Sequence, residues 1–336
     1  MTQPRVRRLA SAARREAVVR TSALRAEQVF RRAARTREPL LLGPWLGEVG
    51  YELLYWIPFL RRELHRHGIE PEQAAVLTRG GAAAWYRDFA ARSVDALELL
   101  ASEEYLPRLE ERRRRAGDLK QLRVEPFDRE LVALARARLG EVTVVHPGLM
   151  FTRLRGLWFK DQPPAEVWPR LEYRRLDVPV EPVAGLPERY VAVKAYFNQC
   201  LSPTAETVDF LRRTLERLAE EIDVVLLSTG LLVDDHEEWA LSHPRVHPVE
   251  QLLRPEDNLA VQTRLVAGAR GLVATYGGFS YLGPFLGVPT LTFSAIEQTV
   301  PVHLEVLRAA VPGAAYEQVA AGDAAAVERF ASTLPR

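Results

Sequence analysis

Short, continuously apolar runs alternate along most of this chain with longer stretches whose apolar positions recur every three or four residues. The first kind of run suits strands buried on both faces, the second suits helices covering them, and the alternation predicts parallel sheet flanked by helices. In the first half, strands are expected over 39–43, 74–78 and 142–145, with a turn at 44–48 and a long helix over 49–67. A charged helical region spans 103–139, and its Glu111 to Arg115 run reads as a solvated face. The second half is more regular. Strands are expected over 190–196, 224–228, 245–248, 271–276 and 290–293, and helices over 205–221, 235–241, 256–269, 279–286, 302–310 and 324–333. The stretch from 149 to 187 is rich in proline and tryptophan with little periodicity, which marks a boundary. The expected fold is α/β, two Rossmann-like domains facing across a cleft: a basic arm over 1–38, an N-terminal domain over 39–185 and a C-terminal domain over 186–336.

Length agrees with this, since 336 residues exceed what a single core commonly serves. The lone Cys200 excludes an internal disulfide and a multi-cysteine metal site, and the seven histidines show no metal-ligand spacing, so no metal is expected. No GxGxxG follows either first strand and no GxxxxGK[ST] occurs, which weighs against dinucleotide redox enzymes and P-loop NTPases. Apolar runs are too short to span a membrane and the arginine-rich start lacks a secretory core, so the expected location is cytoplasmic.

Charge is unevenly spread. Residues 1–38 carry eleven arginines against three glutamates, +8, which leaves −7 for the remainder of a chain whose net charge is +1. A solvated leader fits this arm, as does an interfacial helix docked on an anionic membrane at its inner face. Nucleic acid is not an expected partner, because aromatic residues do not interleave with the basic ones.

Two segments stand out. In ATYGGFSYLGPFLGVPTLTF, from Ala274 to Phe293, a glycine pair sits between a strand and a helix. There Gly277 and Gly278 would let backbone approach an anion, with Thr275 at the strand end and the N–H groups of Phe279 and Ser280 aimed along the helix dipole. A tight turn that needs glycine for its angles fits equally well. In LGEVGYELLYWIPFLRREL, Gly47 and Gly50 bracket Glu48 at the exit of the first strand, with Glu52 one helical turn on. Carboxylates at the carboxyl ends of strands lie where α/β sheets bind ligands, so either is a candidate general base. The alternatives are a helix-start charge complementing the dipole for Glu48 and a surface or capping residue for Glu52.

Lysine is rare here: Lys120, Lys160 and Lys194 stand beside 42 arginines. Lys194 falls late in a strand and is the candidate cation for a diphosphate; a surface position on that strand is the alternative. Asn198 is a candidate sugar contact or a loop cap, and Glu297 a candidate ribose contact or an ordinary loop acid. Among the histidines, His146 ends a first-domain strand and is the best placed for a cleft role.

These segments resemble heptosyltransferase-type glycosyltransferases of family 9 and the GT-B architecture. LGEVGYELLYWIPFLRREL looks like the family's turn and proline-containing helix, with Glu48 in the place of its catalytic aspartate. YGGFSYLGPFLGVP looks like the turn and helix that end in LGxP, matched at Gly278, Leu286, Gly287 and Pro289. Tyr276 and Tyr281 depart from the pattern, standing where the family has aspartate and histidine. The resemblance implies metal-independent transfer, with no cofactor, of a sugar from a nucleotide-sugar donor to a glycan or lipid-linked acceptor in polysaccharide biosynthesis. The departures leave open a different donor, an epimerase on the same scaffold, or a catalytically silent partner in a cell-envelope polysaccharide complex.

Overall fold

The computed structural model describes residues 21, 24, 26–116, 120–154, 157, 163–227, 237–238, 243–295 and 300–334. The chain divides into two compact units, one of Met1–Gly47, Tyr55–Arg79 and Tyr86–Glu172, the other of Glu48–Leu54, Gly80–Trp85 and Tyr173–Arg336. Each is built on parallel sheet, as the apolar runs predicted. Among the described residues, no helix is long and apolar enough to cross a membrane.

The first unit has four parallel strands, β1 (Leu40–Leu42), β2 (Ala74–Thr78), β3 (Arg92–Asp95) and β4 (Thr143–Val145), in the order β3-β2-β1-β4. Leu41 pairs in register with Ala75 on one side and Val144 on the other. Its β1 and β2 are buried throughout, which is why they read as uninterrupted apolar runs. Leu41, Ala75, Leu77, Leu109, Phe127 and Leu131 belong to one core cluster.

The predicted helix over 49–67 is not uniform. Val49–Tyr51 is α-helical, Glu52–Trp56 widens into a π turn, and Ile57–His67 returns to α geometry. Pro58 has no N–H to give to the Leu54 carbonyl four residues back, and that carbonyl accepts from the Tyr173 hydroxyl at 3.0 Å. Gly68 ends the helix in the left-handed region, φ 61°.

The charged region resolves into helices Ser102–Ala116 and Pro126–Leu139. Its arginine run is not simply a solvated face. Arg112 is buried and grips the buried Asp128, Nε to Oδ1 at 2.8 Å and Nη2 to Oδ2 at 3.2 Å. His146 joins them: its Nδ1 accepts the Gly148 N–H at 3.0 Å, so Nε2 carries the proton and faces Asp128 Oδ2 at 3.3 Å. Burial alone would raise the Asp128 carboxyl, but hydrogen bonds from His146 and Arg112, Arg112's charge and the Glu125 N–H hold it below the ordinary range. His146 is therefore committed to holding this buried pair.

The described part of the basic arm is also folded. Residues 26–36 are helical, and Ala26, Phe30 and Ala33 are buried at helical spacing, which corrects the expectation of a solvated leader for this stretch. Phe30 stacks on His67 with centroids 5.9 Å apart and meets Phe59 edge-on at 6.4 Å.

The second unit contains β5 (Tyr190–Lys194), β6 (Tyr196–Phe197), β7 (Asp223–Leu226), β8 (Glu237–Glu238), β9 (Val246–Pro248), β10 (Gly271–Thr275), β11 (Thr290–Ser294) and β12 (Tyr316–Ala320). Six are parallel in the order β12-β11-β10-β5-β7-β9. The other two, β6 and β8, pair antiparallel, so residues 237–238 are strand where a helix over 235–241 was expected; the remainder of that stretch lies outside the described residues. Helix Ala205–Glu221 starts where Thr204 accepts the Thr207 N–H at 3.2 Å, and it packs Phe210, Leu211, Leu215 and Leu218 in one core with Val193, Val224 and Phe293. The sequence pattern missed β3 and β12. Both are edge strands that mix polar and apolar residues, which blurs the apolar run.

Candidate functional site

The chain leaves β10 through Thr275 and Tyr276 into the glycine pair. Thr275 is fully buried, and its hydroxyl serves backbone: Oγ1 donates to the Tyr196 carbonyl at 2.6 Å and accepts the Tyr196 N–H at 3.1 Å. One side chain thus stands in for a ladder pair and anchors β6 beside β10.

Gly277 is extended, φ 166° and ψ −173°, a conformation open to any residue. Its need for glycine is spatial, because a Cβ there would overlap the Tyr196 hydroxyl and lie 3.6 Å from Asn198 Nδ2. Gly278 opens a 3-10 turn, Gly278–Tyr281, that runs into helix Leu282–Leu286. A Cβ on Gly278 would fall 2.5 Å from the Gly50 nitrogen, and one on Gly50 would fall 2.6 Å from the Gly278 Cα. The two segments singled out in the sequence, more than two hundred residues apart, meet backbone to backbone within the second unit.

That contact places the Glu48 turn beside the glycine turn. Glu48 is half-buried and extended, φ −69° and ψ 146°, at the head of Val49–Tyr51, and its side chain makes no capping hydrogen bond. Its charge is felt at Cys200, whose buried thiol is pushed up first by desolvation and then by Glu48. Glu52 is fully buried inside the π turn, and its N–H donates to the Glu48 carbonyl at 3.2 Å.

Asn198 and Cys200 form the facing loop. Asn198 Oδ1 accepts the N–H groups of Cys200 at 2.7 Å and Leu201 at 3.0 Å, so its carbonyl oxygen caps the loop, while its amide nitrogen borders Gly277. Lys194 ends β5 in the interior. Its ammonium donates to the Leu227 carbonyl at 2.7 Å and lies 5.9 Å from the Phe279 ring centroid, which rules out the surface alternative. The Ser280 N–H donates to the Gly277 carbonyl at 3.1 Å, and its hydroxyl to the same oxygen at 2.8 Å. Glu297 lies outside the described residues.

The two tyrosines that depart from the family pattern are linked. Tyr281 Oη donates to Tyr276 Oη at 3.1 Å, and Tyr276 Oη donates to the Val300 carbonyl at 3.4 Å. Burial raises the Tyr276 phenol, against the lowering effect of those bonds. Below them Tyr316 reaches Ser280 Oγ at 3.1 Å, and desolvation pushes its phenol up. The raised phenols of Tyr276 and Tyr316 are uncharged at neutral pH.

Sequence reasoning overlooked Arg79. It is buried at the carboxyl end of β2, and its guanidinium donates to the Gly47 carbonyl, the residue before Glu48. The signal was present: a basic residue between an apolar strand and the pair Gly80–Gly81 repeats the logic applied to Lys194.

No family model matches the sequence, and no curated protein matches it. Among solved structures, the chain is similar to Escherichia coli heptosyltransferase WaaC with ADP, at 16% identity and a TM-score of 0.42, over 87% of this chain and 98% of that one. It is similar to a family 9 glycosyl transferase from Veillonella parvula, at 10% identity and a TM-score of 0.45, over 89% and 90%. The match to the iron-containing dodecameric glycosyltransferase TibC of enterotoxigenic E. coli has 13% identity and a TM-score of 0.44, and covers 79% of this chain but 60% of that one. These three structures are glycosyltransferases, and a putative UDP-N-acetylglucosamine 2-epimerase from Listeria monocytogenes is matched as well, at 11% identity and a TM-score of 0.35. Each TM-score is below 0.5, so the functional case rests on this chain's own residues.

Proposed function

We propose that the chain is a glycosyltransferase that moves a sugar from a nucleotide-sugar to a glycan or lipid-linked acceptor, without a metal ion and on the cytoplasmic side. The observation that carries this reading is the apposition of Gly50 and Gly278, which sets the half-buried Glu48 beside a glycine turn and a buried lysine. In this mechanism Glu48 takes the acceptor hydroxyl proton as that oxygen bonds to the anomeric carbon, and the bond from that carbon to the diphosphate oxygen breaks. The departing diphosphate gains negative charge, which the Gly277–Gly278–Phe279 backbone and Lys194 would stabilise. Asn198, through its amide nitrogen, is the sugar contact in this reading. Glu52, fully buried inside the π turn, has no assigned part in this mechanism.

Glu48→Gln is the direct test. With a panel of nucleotide-sugars, it should keep donor binding and lose most turnover; turnover at the wild-type rate would remove Glu48 from the mechanism.

A catalytically silent scaffold is the second reading. The hydroxyls of Tyr276 and Tyr281 bond to each other, and the Ser280 N–H bonds to Gly277, so the glycine turn is also accounted for by packing. Nucleotide-sugar binding without transfer or hydrolysis would favour it.

A further inference from the structure

We propose that Glu27, Glu63 and His67, in the first unit, form a binding site for a divalent transition-metal ion of the zinc class. The three come from two helices, 26–36 and Ile57–His67, and Glu63 and His67 share one face because they are four residues apart. One ligand atom from each lies within 4.8 Å of the others. His67 Nε2 stands 3.6 Å from Glu63 Oε2 and 3.7 Å from Glu27 Oε2, too far for a hydrogen bond. Those separations suit three ligands on one tetrahedral ion about 2.0–2.2 Å from each, with water as a fourth.

The second observation is the state of His67. Its side chain is 8% exposed, and Nε2 is buried with no hydrogen-bond partner, aimed at the two carboxylates. Glu63 is 5% exposed; its Oε2 lies 3.9 Å from Arg66 Nη1, and the charge of Arg153 also acts on it. A buried imidazole and a buried carboxylate side by side, neither bonded to the other, is an arrangement folded proteins avoid. One ion between them would satisfy both. Phe30, stacked on the imidazole, fixes the ring plane that aims Nε2 at the acids. Glu27 also pairs with Arg31, Nε to Oε1 at 2.8 Å, and with Arg66, Nη1 to Oε2 at 3.0 Å. These arginines hold the carboxylate in place and offset part of its charge, so the site would bind through its geometry more than through net charge. The mixed imidazole and carboxylate set favours zinc, and after it manganese or iron(II), over magnesium. The ion would clamp helix 26–36 onto Ile57–His67. Its presence would leave the proposed sugar transfer, and the site that carries it, untouched.

The test uses the full chain, stripped with EDTA, desalted and titrated with zinc chloride against a chromophoric chelator, with thermal melting in parallel. About one equivalent should bind and raise Tm. His67→Gln and Glu63→Gln should each lose that equivalent and the Tm shift, while Cys200→Ser keeps both. Circular dichroism confirms that the variants fold; should Glu63→Gln fail to fold, Glu27→Gln replaces it. No tight equivalent in the wild type, or an equivalent that survives in both folded variants, overturns the proposal.

Discussion

Gly50 and Gly278 face each other so closely that neither position has room for a methyl group. The strand-exit turn that carries Glu48 and the turn after β10 are thereby held at backbone contact, and each requires glycine because of the other.

Alanine at Gly278 or at Gly50 should force the two turns apart. Overpacking of this kind costs about 1–3 kcal/mol. Urea denaturation should show the loss for each single variant, and the double variant should depart from additivity because the two changes act on one contact. Additive losses would mean that the turns are not coupled.

Thr275→Val keeps the shape of the side chain and removes the hydroxyl that satisfies both Tyr196 backbone groups. A loss of about 1–3 kcal/mol is expected, since a donor and an acceptor remain unmatched in the interior. Thr275→Ser should recover most of it. Equal melting temperatures for the valine and serine variants would contradict the bridging role.

Cys200 reports on Glu48. Burial and the neighbouring carboxylate together raise its thiol, so Glu48→Gln should lower the thiol pKa and speed alkylation at a fixed pH near 8. The pH dependence of iodoacetamide labelling measures this. An unmoved profile would place the Glu48 carboxylate too far away to act on the loop.

Asp128 ties stability to pH. Its folded pKa lies below the unfolded value, so its contribution is fully present above the unfolded pKa and is lost as pH falls through the folded one. Melting temperature should drop on the acid side. Arg112→Leu should cost about 3–5 kcal/mol at neutral pH, because it strands a buried carboxylate, and should weaken the acid dependence by removing the partner that holds the pKa down. An unchanged acid limb in that variant would shift the linkage to other carboxylates.

Sequence by itself determined the parallel α/β character and many elements, because apolar runs and helical periodicity are local. β2 and the helices over 205–221 and 324–333 appear with the expected bounds, and the two segments singled out for chemistry are the two that meet. Only the tertiary structure decided what those residues do. Gly277 and Gly278 are glycines because Tyr196 and Gly50 lie against them, Thr275 is taken by a backbone pair, Lys194 is interior and lies over Phe279, and His146 belongs to a buried ion pair. The π turn that encloses Glu52 is likewise hidden, since periodicity does not distinguish a widened turn from a regular one. A side chain's chemistry is set by what surrounds it, and in each of these cases the neighbour comes from a distant or irregular stretch that no spacing rule connects to it.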